Sequence, residues 1–205
     1  MEKLLLDIVH LPPLNLRVKL GKQVKEAVGN AKVKYLVDNE GLIPHQSLFH
    51  IATTGDNLPQ IYIRLEKILS DIKPFSISAE GLVDNDNVIA VKLSEPPELR
   101  QLHEEVVGAL FDLRVGEMPW TPGRQPSTLE KEYREKYGTQ HILKNFSPHI
   151  SLVKLANPVD AEKVLYKIGK IDFDYSVNDF AVAKVNFWHQ VTNIIKEFRL
   201  KKEIK

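Results

Sequence analysis

Cysteine is absent from the 205 residues, which excludes disulfides, thiolate metal centres and a cysteine nucleophile. The absence fits a reducing compartment, and a cytoplasmic location is expected. An excess of one charge is lacking too: 28 basic and 27 acidic residues leave a formal +1. Coating long nucleic acid depends on neutralising many phosphates, so near-zero charge argues against it. A small nucleotide or an RNA terminus still fits. No stretch approaches the roughly 20 apolar residues that span a membrane. The opening MEKLLLDIVHLPPL lacks the basic start and long apolar core of a signal peptide. What remains, 43% hydrophobic and 27% charged, describes a soluble protein with a sizeable core, in one domain or two intimate lobes.

Against these absences stands a near-repeat. Ile43–Ala52 reads IPHQSLFHIA, and Ser147–Ala156 reads SPHISLVKLA. Side chains alternate along a strand, so His45 with Ser47, and His149 with Ser151, would each present an imidazole and a hydroxyl to one face. By the same alternation Phe49 joins the first motif face, while His50 and Lys154 turn to the opposite faces.

Around the motifs the pattern alternates between strands and helices. Lys3–Leu11 is a short apolar strand ended by Pro12-Pro13, and Leu16, Leu20, Val24, Ala27 and Val28 mark a helix over Leu14–Asn30. A short strand at Lys32–Val37 precedes the first motif. Thr54-Gly55-Asp56-Asn57 with Pro59 opens a helix that stops near Pro74. The Asp84-Asn85-Asp86-Asn87 turn makes a hairpin of its flanks, and Glu98–Leu113 is a second amphipathic helix. Val115–Pro126, rich in proline, reads as an irregular excursion or lid. Ser127 and Glu130 have capping-box spacing for a helix reaching Tyr137. After the second motif come a helix at Asp160–Gly169 and strands at Asp172–Val177, Phe180–Phe187 and Val191–Leu200, the last two joined by Trp188-His189-Gln190. Each half thus carries a motif strand, a helix and a strand pair, as two similar lobes would.

Two imidazoles that converge can divide acid and base roles, since imidazole titrates near neutrality. One takes a proton from the attacking oxygen and the other gives one to the leaving oxygen, each transfer contributing on the order of a hundred- to ten-thousand-fold. Ser47 and Ser151 would hydrogen-bond the non-bridging phosphate oxygens. A strained 2′,3′-cyclic phosphate suits such chemistry, with no metal or other cofactor. The remaining histidines read otherwise: His50 as surface or packing, His103 as a helix-surface residue, and His10, His141 and His189 as lying in or near loops. None has metal-site spacing.

The chain resembles the 2H phosphoesterase superfamily, in its 2′-5′ RNA ligase-like branch. The resemblance rests on His45-Gln46-Ser47-Leu48 and His149-Ile150-Ser151-Leu152, 104 residues apart, on Phe146-Ser147-Pro148, and on the closing strand Val191–Leu200. It implies one bilobal α+β domain over 1–205, with two pseudo-symmetric, mainly antiparallel sheets lining a cleft and helices outside. It further implies metal-independent hydrolysis of 2′,3′-cyclic or 2′-5′ phosphodiesters in RNA or nucleotides, with His45 and His149 catalytic, and ligation as the reverse reaction. Expected partners are RNA 3′ ends or small cyclic nucleotides, for a monomer with no membrane. Phe49, Lys154, Trp120 and Tyr137 are candidate substrate contacts, a basic residue after the second motif being common in the family. Lys3-Leu4-Leu5-Leu6 departs from the family in lacking an Arg and an aromatic. That departure motivates an alternative, a module of the same fold that binds RNA ends or phospho-ligands without turnover. Another is a phosphodiesterase for a small non-RNA cyclic phosphate.

Overall fold

The structure is a computed structural model that describes residues 2–120 and 125–200. Among the described residues nine strands form two antiparallel sheets. One has the order β3 (Gln46–Thr54), β1 (Lys3–Leu11), β8 (Asp179–Val185), β9 (Val191–Arg199). The other has the order β2 (Val33–Leu36), β6 (His149–Leu155), β5 (Val88–Leu93), β4 (Phe75–Asn85), β7 (Asp174–Val177). The expected two-sheet α+β architecture with outer helices is present. The expected division of the lobes by chain halves is not. The first sheet joins β1 and β3 to β8 and β9, so the end of the chain completes the sheet that its beginning starts.

Helices cover the outer faces. α1 (Leu14–Val28) packs against α5 (Ala161–Ile168) and β6, burying Leu16, Leu20, Val24, Ala27 and Val28. This is the stripe its periodicity marks. α2 (Leu58–Asp71) packs on α3 (Pro97–Leu110), which lies against β3. Gly21 lets α1 pass close to the loop before β3, since a Cβ there would lie 2.3 Å from the Asp38 carbonyl oxygen. α4 (Thr128–Tyr137) begins with the expected capping box: the Glu130 N–H donates to the Ser127 hydroxyl at 3.2 Å, and the Ser127 N–H donates to the Glu130 carboxylate at 2.8 Å. Gly138 ends it in the left-handed region at φ 79°.

Both motif strands break their alternation at the same place. On β3, Phe49 pairs with Ile8 and Ser47 with the next residue, Val9, leaving Leu48 as an extra residue. On β6, Val153 pairs with Ile89 and Ser151 with Ala90, leaving Leu152 extra. A β-bulge turns the strand by one residue, so everything beyond it changes face. Leu48 and Phe49 therefore both enter the core, as do Leu152 and Val153. His50 and Lys154 return to the side of the serines. This corrects the expected faces of Phe49, His50 and Lys154. Phe49 is core, 1% exposed.

The bulges also free backbone groups that need partners. The Leu48 carbonyl accepts from His103 Nδ1 at 2.7 Å, and the Leu152 carbonyl accepts from the Val37 N–H at 2.8 Å. His103 is thus no helix-surface residue. It is fully buried, stacked on Phe146 at 3.8 Å, and accepts the Leu143 N–H at its Nε2. His10 lies at the end of β1, next to the loop that follows it, and is buried beneath Tyr175 and Phe180.

Candidate active site

His45 and His149 each begin a motif after a proline, and each is held in the same way. His45 Nδ1 lies 2.7 Å from the Ile43 carbonyl, and His149 Nδ1 lies 2.8 Å from the Ser147 carbonyl. A carbonyl only accepts, so Nδ1 carries the proton in both rings and Nε2 of each neutral ring is left with its lone pair. The two histidines come from different sheets, but β3 and β6 meet, and His149 is near enough for its charge to act on His45. His45 is nearly closed off, at 5% exposure, whereas His149 is open to solvent at the cleft wall. Burial lowers the pKa of His45, partly offset by the Asp7 charge; desolvation by the surrounding protein lowers that of His149, partly offset by its bond to Ser147.

The first motif surrounds a carboxylate. Asp7 on β1 pairs across the sheet with His50 and is completely buried. Its Oδ2 accepts from the Ser47 hydroxyl at 2.6 Å, lies 3.1 Å from His50 Nε2 and 3.6 Å from His45 Nε2. Burial alone would raise the Asp7 pKa, but the charge and hydrogen bond of His50, with help from His45 and Ser47, bring it below the usual range. Burial pulls His50 down, and the Asp7 charge and hydrogen bond, with a bond to the His189 backbone, more than reverse this, so its pKa is raised.

The second motif is built from different side chains. The Tyr35 hydroxyl on β2 hydrogen-bonds Ser151, and burial pushes its pKa up to about 12. The Lys154 ammonium lies 5.7 Å from the Trp188 ring centre and 3.2 Å from the Asp86 carbonyl. Lys34 approaches the same indole at 5.7 Å, and Tyr35 lies 6.2 Å from it. Trp188 and His189 are neighbours in the β8–β9 turn, yet Trp188 packs on the second half-site and His189 on the first, 5.0 Å from His50. One turn therefore touches both motifs.

The other expected contacts fall elsewhere. Trp120 stacks on Arg134 at 4.7 Å, and Arg134 is ion-paired with Glu117 at 2.7 Å, so the ring fastens the excursion to α4. Tyr137 packs edge-on against Phe111 and Tyr133 instead of facing either motif. The described part of the excursion is pinned by Val115 N–H to the Ala52 carbonyl, Met118 N–H to the Gly138 carbonyl, and His189 Nε2 to the Pro119 carbonyl. Residues 121–124 of the expected lid lie outside the described residues. Asp7, Tyr35, His50, Trp188 and His189 have no site role in the sequence reading. Only Asp7 left a signal there, as a lone acid inside the apolar run LLLDIV. Among the described residues, no three His, Asp, Glu or Cys side chains are grouped so as to hold a metal ion.

A family model described as the 2′-5′ RNA ligase superfamily matches residues 19–192. The chain belongs to that superfamily. The 2H phosphoesterase resemblance drawn from the two motifs is thereby borne out. A search of curated protein sequences gives no match. Among solved structures, TT0787 of Thermus thermophilus is 18% identical and aligns over 97% of this chain and 99% of that one, with a TM-score of 0.65. LigT of E. coli is 15% identical over 98% and 100%, with a TM-score of 0.57, and has also been solved with phosphate, 3′-AMP, ATP and NADP+. The MHV ns2 PDE domain is 14% identical over 89% and 99%, at 0.50. At these identities the structures share the fold. Among the described residues no helix of this 2H protein is long and apolar enough to cross a membrane.

Proposed function

We propose that this member of the superfamily is a metal-independent phosphodiesterase acting on 2′,3′-cyclic or 2′-5′ linked phosphates of RNA ends or nucleotides. The matched pair of rings carries the reading: each is tethered through Nδ1 to the carbonyl two residues before it, so each offers Nε2 for proton transfer. Desolvation lowers the pKa of both rings, favouring the neutral form, and an arriving phosphate anion favours protonation of one. Asp7 Oδ2, 3.6 Å from His45 Nε2, is an acceptor for the N–H of that ring once protonated, so the reading assigns the proton to His45. In hydrolysis His149 then removes the proton of the attacking water while His45 protonates the leaving oxygen, and ligation reverses the roles. The Ser47 proton is committed to Asp7, so Ser151 is the hydroxyl placed to donate to a non-bridging oxygen. Lys154, Lys34 and Trp188 line the same side for the rest of the substrate. LigT structures holding phosphate and nucleotides support a small phospho-ligand.

The test is hydrolysis of a 2′,3′-cyclic nucleotide in the presence of chelator. His45→Ala and His149→Ala should each lose on the order of a hundred- to ten-thousand-fold in rate while remaining folded. Full activity in either variant removes the mechanism, and loss of wild-type activity with chelator removes metal independence. A second reading, binding without turnover, draws support from the 5% exposure of His45. It expects measurable affinity for 3′-AMP with no product after long incubation.

A further inference from the structure

A buried carboxylate is an unexpected lining for a cleft that receives phosphate, because an uncompensated anion there would repel the substrate. Asp7 is not uncompensated. Its neighbour across the sheet, His50, has 12% of its side chain exposed, and its Nε2 stands 3.1 Å from Asp7 Oδ2. The same ring is bonded to the backbone of His189. An imidazolium has two N–H donors and no acceptor, and this site gives the ring two acceptors. The bulge at Leu48 brings His50 there, five residues beyond His45. The matching bulge at Leu152 turns Lys154, five residues beyond His149, in the same sense.

We propose that Asp7 and His50 form a preformed carboxylate–imidazolium pair, in which Asp7 positions Ser47 and His45 and His50 cancels the charge that would otherwise repel a phosphate. The pair itself stands on geometry; its effect on phosphate rests on the phosphodiesterase reading. The groups facing His50 are Asp7 on β1, Ser47 on β3, His45 ahead of β3, His189 in the β8–β9 turn and His149 at the start of β6. The three other histidines are all held below their ordinary values, so among the described residues Asp7 is the charged partner of the ring. Both members are positioning residues. As pH rises through the raised pKa of His50 the pair loses its proton, Asp7 becomes a bare anion, and phosphate binding falls.

The decisive measurement is NMR titration of the histidine rings, which needs no turnover. One ring, assigned to His50 by its loss in His50→Gln, should titrate above an unperturbed histidine and move below it in Asp7→Asn. Binding of inorganic phosphate then tests the consequence. His50→Gln should weaken it roughly tenfold, and adding Asp7→Asn should restore much of the loss, because both charges then leave together. A His50 ring that titrates at or below the free value, or that ignores Asp7→Asn, overturns the pair. Additive effects of the two substitutions on phosphate overturn the compensation. Should wild-type protein titrate as expected but never hydrolyse a cyclic nucleotide, the pair stands and the phosphodiesterase reading falls.

Discussion

Around the first motif, Ser47 meets Asp7 and His50; around the second, Ser151 meets Tyr35, with Lys154 and Trp188 beside it. The backbones are alike: a proline, a tethered histidine, a serine and a bulged leucine. The surroundings differ in charge. The first half-site buries its histidine and sets Asp7 against His50, while the second leaves His149 exposed and keeps its buried lysine toward an indole. The same local sequence is thus set in two electrostatic environments by the strand next to it, β1 in one case and β2 in the other. A pair of similar imidazoles becomes unequal through neighbours that the motif does not contain.

Acid should separate the halves most. Burial lowers His10 and His189 to about 3 and His103 to about 4, and all three serve the first sheet or the first motif. Groups held neutral in the fold contribute stability that is present above the unfolded value near 6.5 and lost as pH falls from there towards their folded values. Each removes up to about 1.4 kcal/mol per pH unit. His50, with its raised pKa, has the opposite sign: its stabilisation is present below 6.5 and lost as pH rises through its folded value. Thermal unfolding between pH 7 and 5 should show a net loss, and amide exchange should accelerate on β3 before β6. Equal acceleration of the two strands would break the comparison.

Removing the buried anion comes next. Asp7→Ala leaves His50 and Ser47 without their acceptor, at a cost of about 3–5 kcal/mol, read by denaturant unfolding. His103→Leu strands the Leu48 carbonyl and the Leu143 N–H, for about 2–4 kcal/mol. The second bulge has no such dependence, since backbone from Val37 supplies its partner. Smallest is Tyr35→Phe, which removes one hydrogen bond to Ser151 and should cost about 1 kcal/mol. An equal cost for Tyr35→Phe and Asp7→Ala would mean the two half-sites are balanced after all.

Much of this was legible before the fold. The helix stripe of α1, the capping box of Ser127 and Glu130, the hairpin at Asp84–Asn87 and the two motifs are local patterns, set by spacing along the chain. The faces of Phe49, His50 and Lys154 were not, because a bulge depends on which residue of a neighbouring strand pairs with which. Nor was the mixing of chain ends in one sheet.

The chain's own letters determined that two histidines would each be followed by a serine on a strand, since a period of two is a property of the extended backbone. Tertiary structure decided what those groups would meet. Pairing β1 with β3 put Asp7 against His50, and pairing β8 with β9 placed Trp188 and His189 on opposite half-sites. Electrostatic environment is a matter of distance in space, and residues 7, 50 and 189 become neighbours only when β1, β3 and the β8–β9 turn assemble into one sheet.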